Sequence, residues 1–426
     1  MHLMFFPDIH PTFRGTCDHP DAGERSEILL NKMIQLYQES GDSNILPDQI
    51  TFNTVIHNIA NSDSFDAPPR AMHLLEHMES MHESGMIYDK PDIISYNSVL
   101  DAFAKSGGPE SAWQAEELLN KLEEMALHHD NDSPDSNPSP QNTVIRPDVY
   151  SYNIVISAWG NCGRAEKAVA LLDRMTAFAN DGRLDLRPDA TTYNTLLNAW
   201  SQSSDRNAPV KALGLLEIML RIREGGDHSA DPTALSFSTV INAFSKSRFP
   251  RKARQARDLL LRMKRLHEQD EEERMRPNVY VYSAVLNACA YTFGRAEEKE
   301  EALKVGIETY EEMQNSGIKP NHVAYGSFIR LCRRLVSEDD RRNQLVRQTF
   351  EQCCSDGQLG EYVLRQLRAV PGMYYSLLRE YMVDDSGEVL YQDLPLSWTC
   401  NVKDRRKKNN HRQFGKGSTK YECASF

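Results

Sequence analysis

The sequence predicts an all-α protein, a solenoid of helix-turn-helix units repeated along the chain. Three patterns that recur in register predict it: an apolar stripe led by an aromatic, a second stripe rich in Leu and Met, and a Pro-polar dipeptide that closes each unit. At 426 residues the chain is too long for one ordinary domain but suits an architecture that grows by repetition.

The first pattern occupies Thr51–Ala60, Ser95–Ala104, Ser151–Gly160, Thr192–Ser201, Ser236–Ser245, Val281–Ala290 and Ala324–Arg333. Each copy opens on a small or β-branched residue followed by an aromatic: Phe52, Tyr96, Tyr152, Tyr193, Phe237, Tyr282 or Tyr325. Apolar residues follow three, four and seven places later, as in Val99, Leu100 and Phe103 or Leu196, Leu197 and Trp200. That spacing is one face of a helix. It puts Trp159 and Trp200 in the core. Alanine often stands between, at Ala102, Ala158, Ala199, Ala243 and Ala288, where a small side chain lets a neighbouring helix approach.

The second pattern, small-x-x-Leu-Leu-x-x-Met, is clearest at Ala71/Leu74/Leu75/Met78, Ala168/Leu171/Leu172/Met175, Ala212/Leu215/Leu216/Met219 and Ala256/Leu259/Leu260/Met263. Weaker copies are Ala115/Leu118/Leu119/Leu122 and Gly306/Thr309/Tyr310/Met313, and an orphan, Ser26/Leu29/Leu30/Met33, precedes the first complete unit. Pro47-Asp48, Pro91-Asp92, Pro147-Asp148, Pro188-Asp189, Pro232-Thr233, Pro277-Asn278 and Pro320-Asn321 then close the units. Proline stops a helix, and Asp, Asn or Thr caps the next one. Neither helix of a unit can bury its stripe alone, whereas stacked units bury both.

The expected organisation is a disordered extension over 1–25 and tandem repeats over 26–350. The repeats comprise a half repeat 26–48, units 49–92, 93–148, 149–189, 190–233, 234–278 and 279–321, and a degenerate unit 322–356. Residues Arg341–Asp356, Glu361–Ala369 and Met373–Met382 read as further helices, with capping helices spread over 357–400. Residues 401–426 read as a basic disordered tail, and His128–Thr143, rich in Asp, Asn, Ser and Pro, as a disordered loop.

Composition narrows the function. Charged residues are 26% and hydrophobic residues 40%, as in a folded soluble protein, and no run approaches the roughly 20 apolar residues of a membrane span. A net charge of −12 disfavours a protein that coats polyanions indiscriminately but leaves room for a local basic groove. The eight cysteines are scattered, with no Cys-x-x-Cys pair and no zinc spacing. No phosphate loop, nucleophile elbow or deaminase motif occurs, so no catalytic residue, metal or cofactor is expected.

An aromatic-Asn pair after Ser or Thr, then Ala-x-x-Leu-Leu-x-x-Met, then Pro-Asp, resembles the pentatricopeptide repeat. The resemblance covers roughly 26–350, although the steps between aromatics, 41 to 56 residues, exceed the family's unit. It implies a right-handed α-α superhelix whose first helices line the concave face and bind single-stranded RNA, commonly one base per repeat. It also implies the readers: the residue after each aromatic and the last residue of the repeat. The pairs are Asn53 with Asp92, Asn97 with Asp148, Asn153 with Asp189, Asn194 with Thr233, Ser238 with Asn278, and Ser283 with Asn321. Gly326 has no evident partner. In the family's code the pairs imply U, U, U, a pyrimidine, A and A. The chemistry is consistent: Asp only accepts, favouring a base with an imino N–H, whereas Asn can also donate. The competing account makes these residues polar starts and caps of helices.

Near the end of each first helix stands a polar or basic residue, of which Lys105, Lys246 and Arg334 are the candidate phosphate contacts. A solvated helix end competes with that reading. Ile50, Ile94, Tyr150, Thr191, Leu235, Tyr280 and Val323, two places before each aromatic, are candidates to sandwich bases, with packing between repeats as the alternative for the aliphatic ones. The resemblance implies a non-catalytic RNA-binding protein of a mitochondrion or plastid, active in RNA processing, stabilisation or translation, with protein partners in RNA metabolism and neither membrane nor small-molecule substrate. No transit peptide is evident. The rival is a helical-repeat scaffold for protein–protein interaction.

Overall fold

The computed structural model describes residues 22–62, 64–132, 145–270, 273–379, 389, 391 and 394–402. The expected disorder of 1–21, of most of the long loop and of 403–426 lies outside these. Among the described residues every regular element is helical. In chain order the α-helices are α1 (Ala22–Ser40), α2 (Gln49–Ala60), α3 (Ala67–Glu83), α4 (Ile93–Ser106), α5 (Pro109–Asp132), α6 (Val149–Asn161), α7 (Ala165–Asn180), α8 (Ala190–Gln202) and α9 (Ala208–Glu224). They continue as α10 (Ala234–Lys246), α11 (Lys252–Asp270), α12 (Val279–Ala290), α13 (Ala296–Asn315), α14 (His322–Leu335), α15 (Asp339–Ser355), α16 (Glu361–Arg368), α17 (Met373–Leu378) and α18 (Leu396–Thr399). From α2 to α15, even numbers are the aromatic-led helices A and odd numbers the helices B.

The chain divides into two compact units, 1–249 with 262–276 and 250–261 with 277–426. In the first, α1, α2, α4, α6, α8 and α10 pack in succession, and α3, α5, α7 and α9 each touch the helix A before and after them. In the second, α12 packs on α14 and α14 on α16, with α13 between α12 and α14, and α18 lies on α15.

The stripes account for this packing. Phe52, Tyr96, Tyr152, Tyr193, Phe237, Tyr282 and Tyr325 are buried, as are Trp159 and Trp200. So are the Leu and Met residues of the second pattern in α3, α7, α9 and α11. At the contact of α6 with α8 the side chain disappears: a Cβ on Gly160 of α6 would lie 2.8 Å from the Cβ of Ala199 in α8. Arg70 of α3 pairs with Glu27 of α1. Tyr96, Tyr152, Tyr282 and Tyr325 donate their hydroxyls to Glu79, Glu123, Glu312 and Asp356, so the core aromatics also tie A and B layers together through polar tips.

Two boundaries differ from expectation. Helix α1 begins at Ala22, inside the extension expected over 1–25, because Ala22 and Gly23 are buried and Gly23 fits against the backbone of Ile59. Its buried residues include Ser26, Leu30 and Ile34, while Leu29 of the expected stripe is exposed. Helix α5 runs to Asp132, into the loop expected from His128, while α17 is described over Met373–Leu378 and residues 380–382 of its expected stretch lie outside the described set.

Candidate nucleic-acid interface

Each helix A begins just after the polar residue that follows a proline, and that residue caps it. Asp48, Asp92, Asp148 and Asp189 accept the backbone N–H of Thr51, Ser95, Ser151 and Thr192 at 2.8, 2.9, 2.8 and 2.8 Å. Asn278 and Asn321 accept from Val281 and Ala324 at 3.2 and 2.9 Å. Each such cap contributes about 1 kcal/mol. The second member of most expected reader pairs is therefore a helix cap, whatever else it does.

In the first unit the caps meet the other expected readers. The amino group of Asn53 donates to Asp92 at 3.2 Å and that of Asn97 to Asp148 at 3.4 Å. A serine completes each junction. Ser95 and Ser151 donate their hydroxyls to the carboxamide oxygens of Asn53 and Asn97 at 2.5 and 2.7 Å, and accept the backbone N–H of Asp92 and Asp148 at 3.1 and 3.2 Å. Ser236 does the same with Asn194 at 2.7 Å and with the N–H of Thr233 at 3.0 Å.

The junction of Asn153 with Asp189 shares the hydroxyl-to-cap contact, at 2.9 Å for Thr192 as against 3.0 and 2.8 Å for Ser95 and Ser151, but the carboxamide oxygen of Asn153 is buried without a hydrogen-bond partner. In the second unit Ser283 donates to the Val279 carbonyl at 2.6 Å and lies 3.4 Å from the Asn321 side-chain oxygen. Ser238 belongs to the first unit, where it donates to the Leu235 carbonyl at 3.0 Å, and Asn278 to the second.

The linking serines were not anticipated from sequence as part of the site. Their signal was present: the residue before the aromatic is Ser or Thr in five of the seven units. Beside the junctions, Ile50, Ile94, Tyr150, Leu235 and Tyr280 keep between 58% and 66% of their surface exposed. Packing between repeats therefore does not account for Ile50, Ile94 and Leu235, whereas Val323 is half-buried.

The three expected phosphate contacts are exposed but already engaged with the preceding helix A. Lys105 donates to Asn61 at 2.7 Å and pairs with Asp101. Lys246 reaches the Ser201 carbonyl at 3.1 Å, and Arg334 the Ala290 carbonyl at 2.9 Å. Carbonyls at a helix C-terminus lack intrahelical partners and carry partial negative charge, which explains cations there without any ligand. Lys246 also lines a cleft of about 510 Å³ with Trp200, Arg206 and Arg248.

Burial shapes the ionisable groups. It holds the Tyr96, Tyr152 and Tyr325 hydroxyls well above the ordinary phenol range, reinforced by the carboxylates they bond. It pushes Tyr282 up to about 12, with Glu312 adding to the shift. It pulls the Lys252 ammonium down to about 8, helped by the positive charge of Arg334. Among the described residues no group of three or more His, Cys, Asp or Glu is placed to hold a metal ion, and no helix is long and apolar enough to cross a membrane.

Comparison with known proteins follows the same repeats. The PPR repeat matches residues 94–125 and 235–266, the PPR repeat family 147–202, and the pentacotripeptide-repeat region of PRORP 251–355. No curated protein matches the sequence. Similar solved structures include the pentatricopeptide repeat protein PPR10 in complex with an 18-nt psaJ RNA element, at 20% identity over 85% of this chain and 46% of that one, with a TM-score of 0.38. PPR10 from maize is similar at 17% identity, over 87% and 53% of the two chains, with a TM-score of 0.40. The chain thus spans about half the length of these structures. Repeat models that match residues 94–125, 147–202 and 235–355, on helices with the expected caps and stripes, make the chain a pentatricopeptide-repeat protein.

Proposed function

We propose that this protein binds single-stranded RNA with base selectivity, one base to a repeat junction, without chemistry of its own. The observation that carries the reading is the recurring Asn–Asp pair at successive junctions of the first unit, Asn53 with Asp92 and Asn97 with Asp148, beside a row of exposed apolar side chains. A carboxylate beside a carboxamide offers acceptors and donors at the edge of a base, and the exposed apolar groups suit its faces. Asn194 with Thr233 in the first unit and Ser283 with Asn321 in the second supply further positions, and Lys105, Lys246 and Arg334 contribute charge towards the phosphates. Processing, stabilisation or translation of RNA in a mitochondrion or plastid is the setting that the repeat family suggests.

The test is a binding competition among oligonucleotides varied at one position, for wild type and Asp92→Asn. Asn is as good a cap as Asp, as Asn321 illustrates, so the variant keeps its fold. Expected is a shift at that position from uracil towards cytosine by on the order of 1 kcal/mol, the net value of one exchanged hydrogen bond. Identical ranking of the four bases by both proteins would refute base reading by this pair. Absence of any RNA affinity, with capture of a peptide ligand instead, would favour the scaffold.

A further inference from the structure

We infer that the array ends in a seat that reads no base: where α16 meets α14, Tyr291, Arg330 and Tyr362 hold one further nucleotide of single-stranded RNA by stacking and by its phosphate. The inference rests on the RNA reading proposed above and adds a site beyond the reader pairs.

Helix α16 repeats the start of a helix A. Its cap Gly360 is extended, with φ −106° and ψ 169°, as Asn321 is before α14, with φ −97° and ψ 174°. The Leu364 N–H donates to the Gly360 carbonyl at 3.1 Å, as that of Tyr325 does to Asn321 at 3.0 Å. Helix α16 packs on α14 as α14 packs on α12. In this register Leu364 replaces the aromatic, and Tyr362, two places before it, joins the row of Ile50, Ile94 and Tyr280. Gly326 therefore has a counterpart, Gly360, and this junction offers no reader side chain to the edge of a base.

The space is used otherwise. A Cβ on Gly326 would lie 2.4 Å from Cδ1 and Cε1 of Tyr362, so the ring rests on the Gly326 backbone. The Arg330 guanidinium stands 4.4 Å from the centre of the Tyr291 ring and 6.0 Å from that of Tyr362, and Arg365 stands 5.3 Å from Tyr362. Nε of Arg330 donates to Oε1 of Gln366 at 2.9 Å, while Nη1 is buried without a partner.

Charge marks the same place. Arginines of the helices B pair with carboxylates, as Arg70 does with Glu27, Arg174 with Glu123 and Arg257 with Glu312. Among the described residues Arg330, Arg333, Arg334 and Arg365 have no such ion pair, in a chain of net charge −12. Burial and the like charges of Arg333, Arg334 and Arg365 hold Arg330 below the ordinary guanidinium range. A phosphate relieves that repulsion and takes the open guanidinium donors. Tyr291 keeps 40% of its surface exposed, which leaves ring surface for a base, and every base has a π-face. Together these groups match an aromatic anion, a nucleotide, and the two glycines leave its base unread.

The test needs first no variant. Asn321→Asp, which keeps the cap, locates the position of Ser283 with Asn321 by shifting its preference, and the seat is the adjoining nucleotide at the end of the bound stretch. Oligonucleotides carrying each of the four bases there should compete equally, and one lacking that nucleotide should bind about tenfold more weakly, the scale of one stacked base. Arg330→Gln should then weaken all four alike by a similar factor and reduce the slope of log K against log salt by about 0.7, whereas Arg330→Lys, which keeps the charge, should retain the slope. A merely structural arginine would lower the urea midpoint and leave the slope unchanged, which overturns the seat. Unequal ranking of the four bases at this position overturns its indifference, and an unchanged affinity without the nucleotide overturns the seat itself; in both cases discrimination at Asn53 with Asp92 leaves the proposed function standing. Absence of RNA binding by wild type overturns both.

Discussion

Gly160 offers a measurement in which two effects of known size oppose each other. It lies near the end of α6, where a Cβ would stand 2.8 Å from the Cβ of Ala199 and 3.3 Å from its Cα. In an open helix, Gly→Ala stabilises by about 1 kcal/mol. Carbon atoms in contact prefer about 3.5–4.0 Å, so α6 and α8 must part by roughly 1 Å to admit the methyl. Neither side can yield as the end of a long side chain would, since Ala199 Cβ is fixed to its backbone. Overpacking of this kind costs about 1–3 kcal/mol, and it spreads along a seam that also carries Trp159 and Trp200. Gly160→Ala should therefore destabilise the protein by about 1–2 kcal/mol, read from the urea midpoint by circular dichroism and tryptophan fluorescence. Ala199→Gly opens the space from the other side, so the two changes should couple favourably by at least about 1 kcal/mol in a double-mutant cycle. A Gly160→Ala variant more stable than wild type by about 1 kcal/mol, or a cycle without coupling, would refute the close-approach argument.

Trp159→Ala should cost about 3–5 kcal/mol, because it empties a core position and removes the indole N–H that Glu116 accepts at 3.0 Å; a loss below about 1 kcal/mol in denaturant unfolding would contradict the assigned helix face. Lys252 carries a sign that can be checked by pH. Its ammonium is pulled from 10.5 to about 8 in the folded protein, so the folded state disfavours the charged form, the cost is full below pH 8, and it fades as pH rises to the unfolded value. Lys252→Met should stabilise at pH 7, by up to roughly 3 kcal/mol relative to its effect above pH 10.5. A stabilisation independent of pH between 7 and 10.5 would contradict the shift.

The fold was legible because its periodicities are redundant. Tyr152, Val155, Ile156 and Trp159 mark one buried face, Ala168, Leu171, Leu172 and Met175 another, and Pro147-Asp148 marks where the chain turns between repeats. Helix ends were less legible, as Ala22 shows: Pro20-Asp21 stands directly before it, yet no unit boundary was read there. The pairing of Asn53 with Asp92 was implied by the repeat family rather than by spacing, since two residues 39 apart become neighbours only once helices stack. The serine between them escaped because Ser95 reads as a capping residue, and its bond to Asn53 arises only once two helices A stack. The cations were read from their charge and their place near the end of helix A, yet Lys246 and Arg334 reach carbonyls of the preceding helix A, a contact that no local pattern announces.

The bonds among Asn53, Ser95 and Asp92 have a thermodynamic consequence. A hydrogen-bonding group that arrives at this junction finds the Asn53 oxygen, one Asn53 N–H and the Asp92 Oδ1 already paired within the protein. Taking the N–H that Asn53 gives to Asp92, or the Asp92 Oδ1 that accepts it, means breaking that bond, so a partner there that matches exchanges one bond for another and gains little, while one that does not match breaks it and returns nothing. Such a junction rejects errors more strongly than it rewards success. Discrimination then accumulates along the array through the number of penalties a wrong strand must absorb, and holding power comes from stacking and charge, which are indifferent to sequence.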